Sequence, residues 1–423
     1  MKRIGIVFLV LALLLGTVSA IAAGPQFGTM DALLDESYGF LDGVPRDFGT
    51  VVDLSIFEEG QPVASAAQLT IDVPFAILME KETGTVLFEK DADTQTPPAS
   101  VTKVMTTLLI MEEIEGGRMG LNDMVTTSAH AASMGGSQVY LEEGEQMSVR
   151  DMLKGIVISS ANDSSVAMAE HIAGTEEAFV ARMNERAMEL GMVNTTFINS
   201  TGLPMDDREN LTTARDVALM SRALIAHDLI KEFSTVWMDS VRNGEFGLNN
   251  TNRLIFYYDG ATGLKTGFTQ TARYCLAATA EREGMEFIAV VLYGETSDQR
   301  FEAAKTLLSF GFANYTLVDI QPEEILKPLR VELGAVDFVQ PVLDGHKRLL
   351  MEKSAASGAT QTVEMVEQIA APITAGQRLG TLTVYDGETV VAEIPIVAGD
   401  DVEKISIGQV YAKFLRLLFH GGL

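Results

Sequence analysis

The order of secondary-structure patterns along this chain limits its fold most strongly. Helical periodicity dominates between about residue 100 and residue 226 and returns at 302–310. Within it, Ser148 and Asp163 are expected to cap the helical segments 149–158 and 164–172, and Gly174 is expected to end the second. Strand-like apolar runs stand before and after the helical part, at 75–79, 85–88, 254–257, 274–280 and 287–292. Strands early, helices in the middle and strands late predict an α+β fold, in which an antiparallel sheet lies beside a helical cluster.

The pattern changes after about residue 316. Short β-like stretches then alternate with turns rich in Gly, Pro and Asp, and no cluster of chemically useful side chains stands among them. We therefore expect the main domain to cover residues 69–315 and a small all-β domain to cover residues 316–403.

The N-terminus has the pattern of a secretory signal peptide. A basic start at Lys2 and Arg3 precedes about twelve apolar residues and then small residues up to Ala22. The alternative is an uncleaved membrane helix, but a bilayer span needs about 20 residues. We predict cleavage after residue 22, an extracytoplasmic protein, and an acidic linker or leader over residues 23–68.

The C-terminal residues 404–423 are predicted to form an amphipathic helix. On a helix, Gln409, Lys413, Arg416 and His420 fall in one narrow stripe, and apolar side chains cover the remaining circumference. The segment is too short to span a bilayer. An interfacial membrane anchor fits this pattern, and a helix packed on the β domain is the alternative.

Charge and cysteine content exclude several classes of protein. The chain has 423 residues and a formal net charge of −27, which argues against nucleic-acid binding because phosphate neutralisation needs clustered basic residues. One cysteine, Cys275, excludes a disulfide framework. It stands in a strand-like run, so we interpret it as a buried inert thiol rather than a catalytic one.

The first candidate motif for chemistry is Ser100-x-x-Lys103. Residues i and i+3 share one face of a helix, so the amine of Lys103 can reach the hydroxyl of Ser100. A serine hydroxyl becomes a good nucleophile when a base takes its proton, and a lysine can be that base if burial or a nearby cation lowers its pKa. Alone, this motif is common on solvated helices.

Two further motifs follow in the chain. Ser160 and Asn162 stand two apart on a turn, where they can face one cleft or simply cap a helix. Lys265, Thr266 and Gly267 can present an ammonium and a hydroxyl to a carboxylate, and the glycine lets a substrate backbone approach. Lys265 would also help to keep Lys103 neutral. Alone, each motif is weak.

Together, in this order, S-x-x-K, S-x-N and K-T-G match the motif set of penicillin-binding proteins and class A β-lactamases. The segment 97–106 resembles the active-serine segment of D-alanyl-D-alanine carboxypeptidases, the low-molecular-mass penicillin-binding proteins. Further similar segments lie at 135–138, 142–145, 151–155, 162–170, 199–203 and 250–252. The resemblance covers about residues 70–315, and the β-rich part and the tail fit the usual C-terminal half of that family.

The resemblance implies a penicillin-binding, transpeptidase-like fold and a metal-free and cofactor-free mechanism. Ser100 would attack the peptide bond between the terminal D-alanines of a peptidoglycan stem peptide, with Lys103 as general base. Further implied roles are the oxyanion hole from the backbone N–H groups of Ser100 and Phe268, leaving-group protonation by Ser160, substrate positioning by Asn162, and carboxylate binding by Lys265 and Thr266. β-Lactam antibiotics would acylate Ser100.

Two rival functions remain, and three positions depart from the family pattern. A β-lactamase would need an E-x-x-L-N segment, and the string 245–249 stands only 20 positions before Lys265, too close for the class A layout. A non-catalytic peptidoglycan-binding protein of the same fold is the other rival. Ala161 stands where Gly is frequent, and Phe268 stands where His or Tyr is common. Arg273 stands at a place usually small; it could add a contact to the substrate carboxylate, but we expect it to point outward.

Overall fold

The structure is a computed structural model that describes residues 69–320, 326–345 and 348–420, with side chains described to residue 415 of the last helix. The predicted signal peptide, 1–22, and the predicted leader, 23–68, lie outside the described residues.

A five-stranded antiparallel sheet forms the centre of the main domain. Its strands are β1 (Phe75–Glu80), β2 (Val86–Lys90), β7 (Ala261–Thr269), β8 (Arg273–Arg282) and β9 (Met285–Gly294). Their order in the sheet is β2-β1-β9-β8-β7, so the early hairpin joins the late strands through β1 and β9. The α+β interpretation is confirmed, because strands from both ends of the segment share one sheet.

Helices fill the chain between β2 and β7. They are α1 (Lys103–Glu115), α2 (Ala129–Ala132), α3 (Val149–Val157), α4 (Asn162–Ala173), α5 (Glu176–Glu189), α6 (Ala214–Leu224), α7 (Lys231–Ser234) and α8 (Leu254–Tyr257), with 3₁₀ turns at Ala99–Thr102, Asp228–Ile230 and Arg242–Gly244. Two small hairpins lie among them, β3 (Met124–Thr126) with β4 (Gln146–Ser148), and β5 (Met238–Val241) with β6 (Phe246–Asn249).

The central strand β9 separates two apolar cores. Ile288, Val290 and Leu292 point towards the helical cluster. The alternate residues of β9 belong to the core beneath α9 (Ser297–Asn314), since successive side chains of a strand face opposite sides. Both faces of the sheet are therefore covered. The helix α1 is buried in the core that Ile288, Val290 and Leu292 face.

Two local predictions are wrong. The run 254–257, expected to be a strand, is the helical turn α8, because Oδ1 of Asn252 accepts from the N–H of Leu254 at 3.2 Å and starts the turn. Asp163, expected to cap α4, lies inside that helix, and its carboxylate instead accepts from the N–H groups of Val139 and Leu141. Ser148 does cap α3, and Gly174 ends α4, as predicted.

The C-terminal part is built from short strands, as the sequence predicts. They are β10 (Tyr315–Asp319), β11 (Leu329–Glu332), β12 (Phe338–Val339), β13 (Pro341–Leu343), β14 (Arg348–Glu352), β15 (Ala359–Met365), β16 (Gln368–Ala370), β17 (Arg378–Asp386) and β18 (Thr389–Ala398), with one helical turn, α10 (Lys353–Ala356). Two small apolar cores hold these strands together.

The chain ends in helix α11 (Ile407–His420). Large apolar side chains of this helix are exposed, among them Ile407, Tyr411 and Phe414. Within the described part of the chain, no helix combines the length and the apolar character that a bilayer crossing requires.

Candidate active site

Ser100 lies in the 3₁₀ turn that leads into α1, where the sequence places it. Its neighbour Ala99 has a φ of 49°, an unfavourable backbone conformation for a residue with a Cβ. Gly202 packs directly on this turn, since a Cβ there would lie 1.8 Å from the carbonyl oxygen of Ala99. The serine is thus held on a strained turn that a tightly packed glycine supports.

Lys103 is completely buried one turn further along. Its Nζ lies 3.1 Å from Oγ of Ser100, 2.6 Å from Oδ1 of Asn162 and 2.8 Å from the carbonyl oxygen of Thr201. Burial lowers the pKa of Lys103 well below its ordinary value, and the nearby charge of Lys265 lowers it further, while Asp163 opposes the shift. The amine of Lys103 therefore loses its proton more readily than an exposed lysine does.

The second motif meets the first through Asn162, the first residue of α4. Asn162 accepts from Lys103 through its carbonyl and donates from Nδ2 to the carbonyl oxygen of Gly135 at 2.7 Å, so the orientation of its amide is determined. Its backbone N–H also donates to the carbonyl oxygen of Ser137 at 2.8 Å. Ser160, two residues earlier, is buried and has a φ of 66°.

The third motif lies on β7 and packs against the serine turn. A Cβ at Gly267 would be 2.6 Å from the carbonyl oxygen of Pro98 and 3.1 Å from the backbone nitrogen of Ser100. This position needs glycine so that β7 can approach the chain's own active-serine turn, whereas the sequence had suggested an approach by substrate. The packing brings Phe268, the next residue, beside the same turn.

Lys265, the first residue of the third motif, is buried. Its Nζ donates to the carbonyl oxygen of Thr266 at 3.0 Å, and Lys265 and Lys103 line the same small cavity of about 10 Å³. Burial lowers the pKa of Lys265 to about 7, with a further contribution from the charge of Arg300. Lys265 is therefore close to its protonation midpoint at neutral pH.

The strand end after the third motif is held by aromatic contacts. The ring of Phe268 lies 4.4 Å from that of Tyr274, between centroids, and the guanidinium of Arg300 lies 5.3 Å from the Tyr274 centroid. Arg273 is exposed, as expected. Cys275 is buried, and burial raises its pKa to about 11, which fits an inert thiol.

Sequence reasoning missed several residues that build the site. Thr201 supplies a carbonyl to Lys103, Thr251 accepts from the hydroxyl of Thr266 at 2.7 Å, and Arg300 donates to the carbonyl oxygen of Gly267 at 3.1 Å. The segments 199–203 and 250–252 were noted as similar to the family without roles. Arg300 follows Lys265 by 35 positions in an ordinary amphipathic helix, which offers no local signal.

Comparison with known proteins identifies the family of the chain. The family model described as D-alanyl-D-alanine carboxypeptidase matches residues 62–296, and that of the penicillin-binding protein 5 C-terminal domain matches residues 320–404. The D-alanyl-D-alanine carboxypeptidase DacF of Bacillus subtilis is 40% identical over 343 residues, which cover 80% of this chain and 88% of DacF.

Solved structures are similar over most of the described chain. Penicillin-binding protein 5 of Haemophilus influenzae has a TM-score of 0.71 and 27% identity, covering 79% of this chain and 99% of that structure. Penicillin-binding protein D2 of Listeria monocytogenes, solved in an ampicillin-bound form, has a TM-score of 0.53 and 31% identity, covering 58% of this chain and 99% of that one. By sequence and by fold, this chain belongs to the D-alanyl-D-alanine carboxypeptidase family.

Proposed function

We propose that this protein is a serine-type D-alanyl-D-alanine carboxypeptidase that removes the terminal D-alanine from peptidoglycan stem peptides through an acyl-enzyme on Ser100. The observation that carries the proposal is the set of contacts around the amine of Lys103. They fit a general base directed at the serine hydroxyl.

A neutral lysine amine has two N–H groups and one lone pair. Asn162 and Thr201 each offer an oxygen to Nζ of Lys103, at 2.6 and 2.8 Å, and these two oxygens accept both N–H groups. The lone pair then points to the third neighbour, the hydroxyl of Ser100 at 3.1 Å. This geometry suits proton removal from the nucleophile, and the lowered pKa of Lys103 makes the neutral amine easier to reach.

The charge that develops on the substrate carbonyl needs hydrogen-bond donors. The backbone N–H groups of Ser100 and Phe268 serve this role, because Gly267 lets β7 pack within contact distance of the serine turn. Donors held by a helix start and a strand of the central sheet need no rearrangement when the tetrahedral intermediate forms.

The terminal carboxylate of the substrate binds to Lys265 and Thr266 at the base of the cleft. Its negative charge favours the cationic form of Lys265, which would otherwise be half-protonated at neutral pH. The hydroxyl of Thr266, which donates to Oγ1 of Thr251 at 2.7 Å in this structure, would turn its proton to the carboxylate when substrate binds. Asn162, placed by its bond to Gly135, positions the substrate amide.

The reaction then proceeds in two steps. The oxygen of Ser100 forms a bond to the carbonyl carbon, and its proton passes to Lys103. The C–N bond then breaks as Ser160 delivers a proton to the departing D-alanine amine and takes the proton of Lys103 in its place. Water next attacks the ester and gives a proton to Lys103, which passes it to the oxygen of Ser100 as the ester C–O bond breaks, so that the shortened peptide leaves and both side chains are restored. β-Lactams would acylate the same serine, as suggested by the ampicillin-bound form of the Listeria relative.

The two rival functions are less well supported. Glu245 is the glutamate of the E-x-x-L-N string that a class A β-lactamase would need. It is exposed at the turn between β5 and β6. A non-catalytic binding protein would have no use for a buried lysine with a lowered pKa beside the serine, since burying such a group is costly.

We further propose that the protein works outside the cytoplasm, with residues 1–22 as a cleaved signal peptide and 23–68 as an acidic leader. The enzyme domain would cover 69–315, the all-β domain 316–403, and the amphipathic anchor 404–423. The anchor is supported by the exposed apolar side chains of α11, which water solvates poorly and a lipid interface would cover.

The test is D-alanine release from diacetyl-L-Lys-D-Ala-D-Ala by the protein without residues 1–22. We expect free D-alanine, no product from a peptide that ends in L-Ala, and a loss of at least about 10⁴-fold in kcat for Ser100→Ala. Equal turnover by Ser100→Ala would contradict the mechanism. Peptide binding without any D-alanine release by the unaltered protein would favour the non-catalytic rival.

A further inference from the structure

The turn between β11 and β12 exposes three large apolar side chains. Leu333, Val336 and Phe338 are 61%, 52% and 58% exposed, and together they are called the apolar turn here. Their strand neighbours Val331 and Val339 are buried in the small core of the domain. The apolar turn is therefore not needed for that core, and its exposure has to be explained in another way.

The apolar turn is joined directly to the start of helix α11. The N–H of Ile405 donates to the carbonyl oxygen of Leu333, and the N–H of Ala335 donates to that of Glu403, both at 2.8 Å. Ile407, the first helical residue, follows Ile405 by two positions and so lies within about 7 Å of it along the chain. The helix consequently begins beside the apolar turn.

An ion pair connects α11 to the apolar turn. Lys413, in the polar stripe of the helix, pairs with Asp337, which stands between Val336 and Phe338. The side chains of Ile407, Tyr411 and Phe414 on the same helix are exposed. The start of the helix and the apolar turn therefore present apolar side chains to solvent beside each other.

The charge of the tail favours a lipid partner. Residues 405–423 contain Lys413 and Arg416 but no Asp or Glu, in a chain whose net charge is −27. A second copy of so acidic a chain would be repelled. An anionic phospholipid surface, by contrast, attracts a basic amphipathic segment and accepts large apolar side chains at its interface.

We propose that the apolar turn and helix α11 form one lipid-binding surface, in which Leu333, Val336 and Phe338 enter the bilayer interface together with the helix. This inference rests on the anchor role proposed above for residues 404–423, and it adds a second contact from the β domain. Two contacts on one rigid domain would hold the enzyme at a defined orientation above the membrane, whereas a helix on a flexible linker would not.

The experiment measures sedimentation of the protein, without residues 1–22, with vesicles of phosphatidylglycerol and phosphatidylethanolamine. The test variant carries Leu333→Ser, Val336→Ser and Phe338→Ser. We expect its partition coefficient to fall by about tenfold or more, because three apolar side chains no longer leave water. D-alanine release from the soluble peptide should not change, which shows that the variant is folded.

A matched control carries Val363→Ser, Val390→Ser and Val391→Ser. These valines belong to β15 and β18 of the same domain and are 42%, 49% and 40% exposed. We expect the control to sediment like the unaltered protein. An equal loss of binding in the control and in the test variant would overturn the proposal, since any loss of apolar surface would then suffice.

A second readout reports the location of the turn itself. Trp237 is the single tryptophan of the chain, so Phe338→Trp in a Trp237→Phe background gives one probe. Its emission should shift to shorter wavelength when these vesicles are added. An unchanged emission maximum on vesicles that do bind the protein would contradict insertion of the turn.

The deletion of residues 405–423 separates this inference from the anchor on which it rests. If the deleted protein still sediments with vesicles, the anchor role of the tail is wrong. If the deleted protein stays in solution while the three-serine variant binds like the unaltered protein, the tail is an anchor and the apolar turn is not. Tail-dependent dimers in the absence of lipid would assign the surface to a second copy and also overturn the proposal.

Discussion

The active site and the C-terminal β domain use buried positions in opposite ways. Around Ser100, the charged groups Lys103, Asp163 and Lys265 are all buried and each has polar partners. Among the described residues from 326 onward, every buried side chain is apolar. Burying a charge is costly, so a chain keeps buried ionisable groups where the chemistry of a site or a network of hydrogen bonds needs them.

This difference implies that changes in the two regions should have separable consequences. In the main domain, a small displacement should alter reaction rates, because several elements converge on one lysine. In the β domain, the same kind of change should alter stability or membrane binding and leave the chemistry intact. The following variants test that separation.

Gly267→Ala should have the largest effect on activity. Its Cβ would meet the carbonyl oxygen of Pro98 at 2.6 Å, a backbone atom that cannot swing away, so β7 must move from the serine turn. A displacement near 1 Å can cost about 100-fold in rate, and we expect kcat/KM for D-alanine release to fall by about that factor. Gly247→Ala is the control, because a Cβ there has open space. Similar rates for both variants would contradict the packing argument.

The pH profile should reveal Lys265 through its alkaline side. The cationic form binds the carboxylate, and the pKa of Lys265 is about 7, so the cation is lost as the pH rises above 7. For the unaltered protein, kcat/KM should therefore decline by about tenfold per pH unit well above that value. Lys265→Arg should be less active but should lose this decline, because arginine stays charged. An identical alkaline decline in both proteins would assign it to another group.

Asp163→Asn should have a smaller effect with two readouts. The carboxylate accepts from the N–H groups of Val139 and Leu141, and weakening this buried contact should lower the free energy of unfolding by about 1–3 kcal/mol. Asp163 also raises the pKa of Lys103, so its neutralisation should move the acidic side of the kcat/KM profile to lower pH. Asp259→Asn, at a highly exposed side chain, should change neither quantity. An unmoved acidic side in Asp163→Asn would show that the charge does not reach Lys103.

Leu382→Ala in β17 should have the smallest effect on activity. The side chain is fully buried in a small core of the β domain, so its removal should destabilise that domain by about 2–5 kcal/mol. D-alanine release from a soluble peptide should stay unchanged below the melting temperature, which thermal unfolding and the activity assay measure together. A parallel fall of kcat at temperatures where the domain is still folded would show that the two regions are coupled.

Much of the fold was predictable, because it depends on local periodicity. The hairpin of β1 and β2, the helix after Ser100 and the caps at Ser148 and Gly174 all follow from short-range patterns. Prediction failed where a side chain overrode local propensity. At 254–257 a helical turn, in which Asn252 accepts from the N–H of Leu254, replaces the expected strand, and the carboxylate of Asp163 binds the distant segment at Val139 and Leu141 as well as the N–H of Ser164.

In the candidate site, too, contacts between near neighbours in the chain were predictable and contacts between distant segments were not. Spacing brought Ser100 and Lys103 together, since residues three apart on a helix share a face. The partners of Lys103 at Asn162 and Thr201 lie 59 and 98 positions away, so their contacts depend on how the helices pack. The need for glycine at position 267 also came from a distant segment, the turn at Pro98.

By itself, the amino-acid sequence determined the elements, the order of the three motifs and the residue types that carry the chemistry, because these depend on neighbours along the chain. Only the tertiary structure decided that the Lys103 amine is buried, which oxygens accept its N–H groups, and that the tail begins beside an exposed apolar turn. Burial and direction of a side chain depend on atoms far away in the chain, and packing alone brings those atoms together.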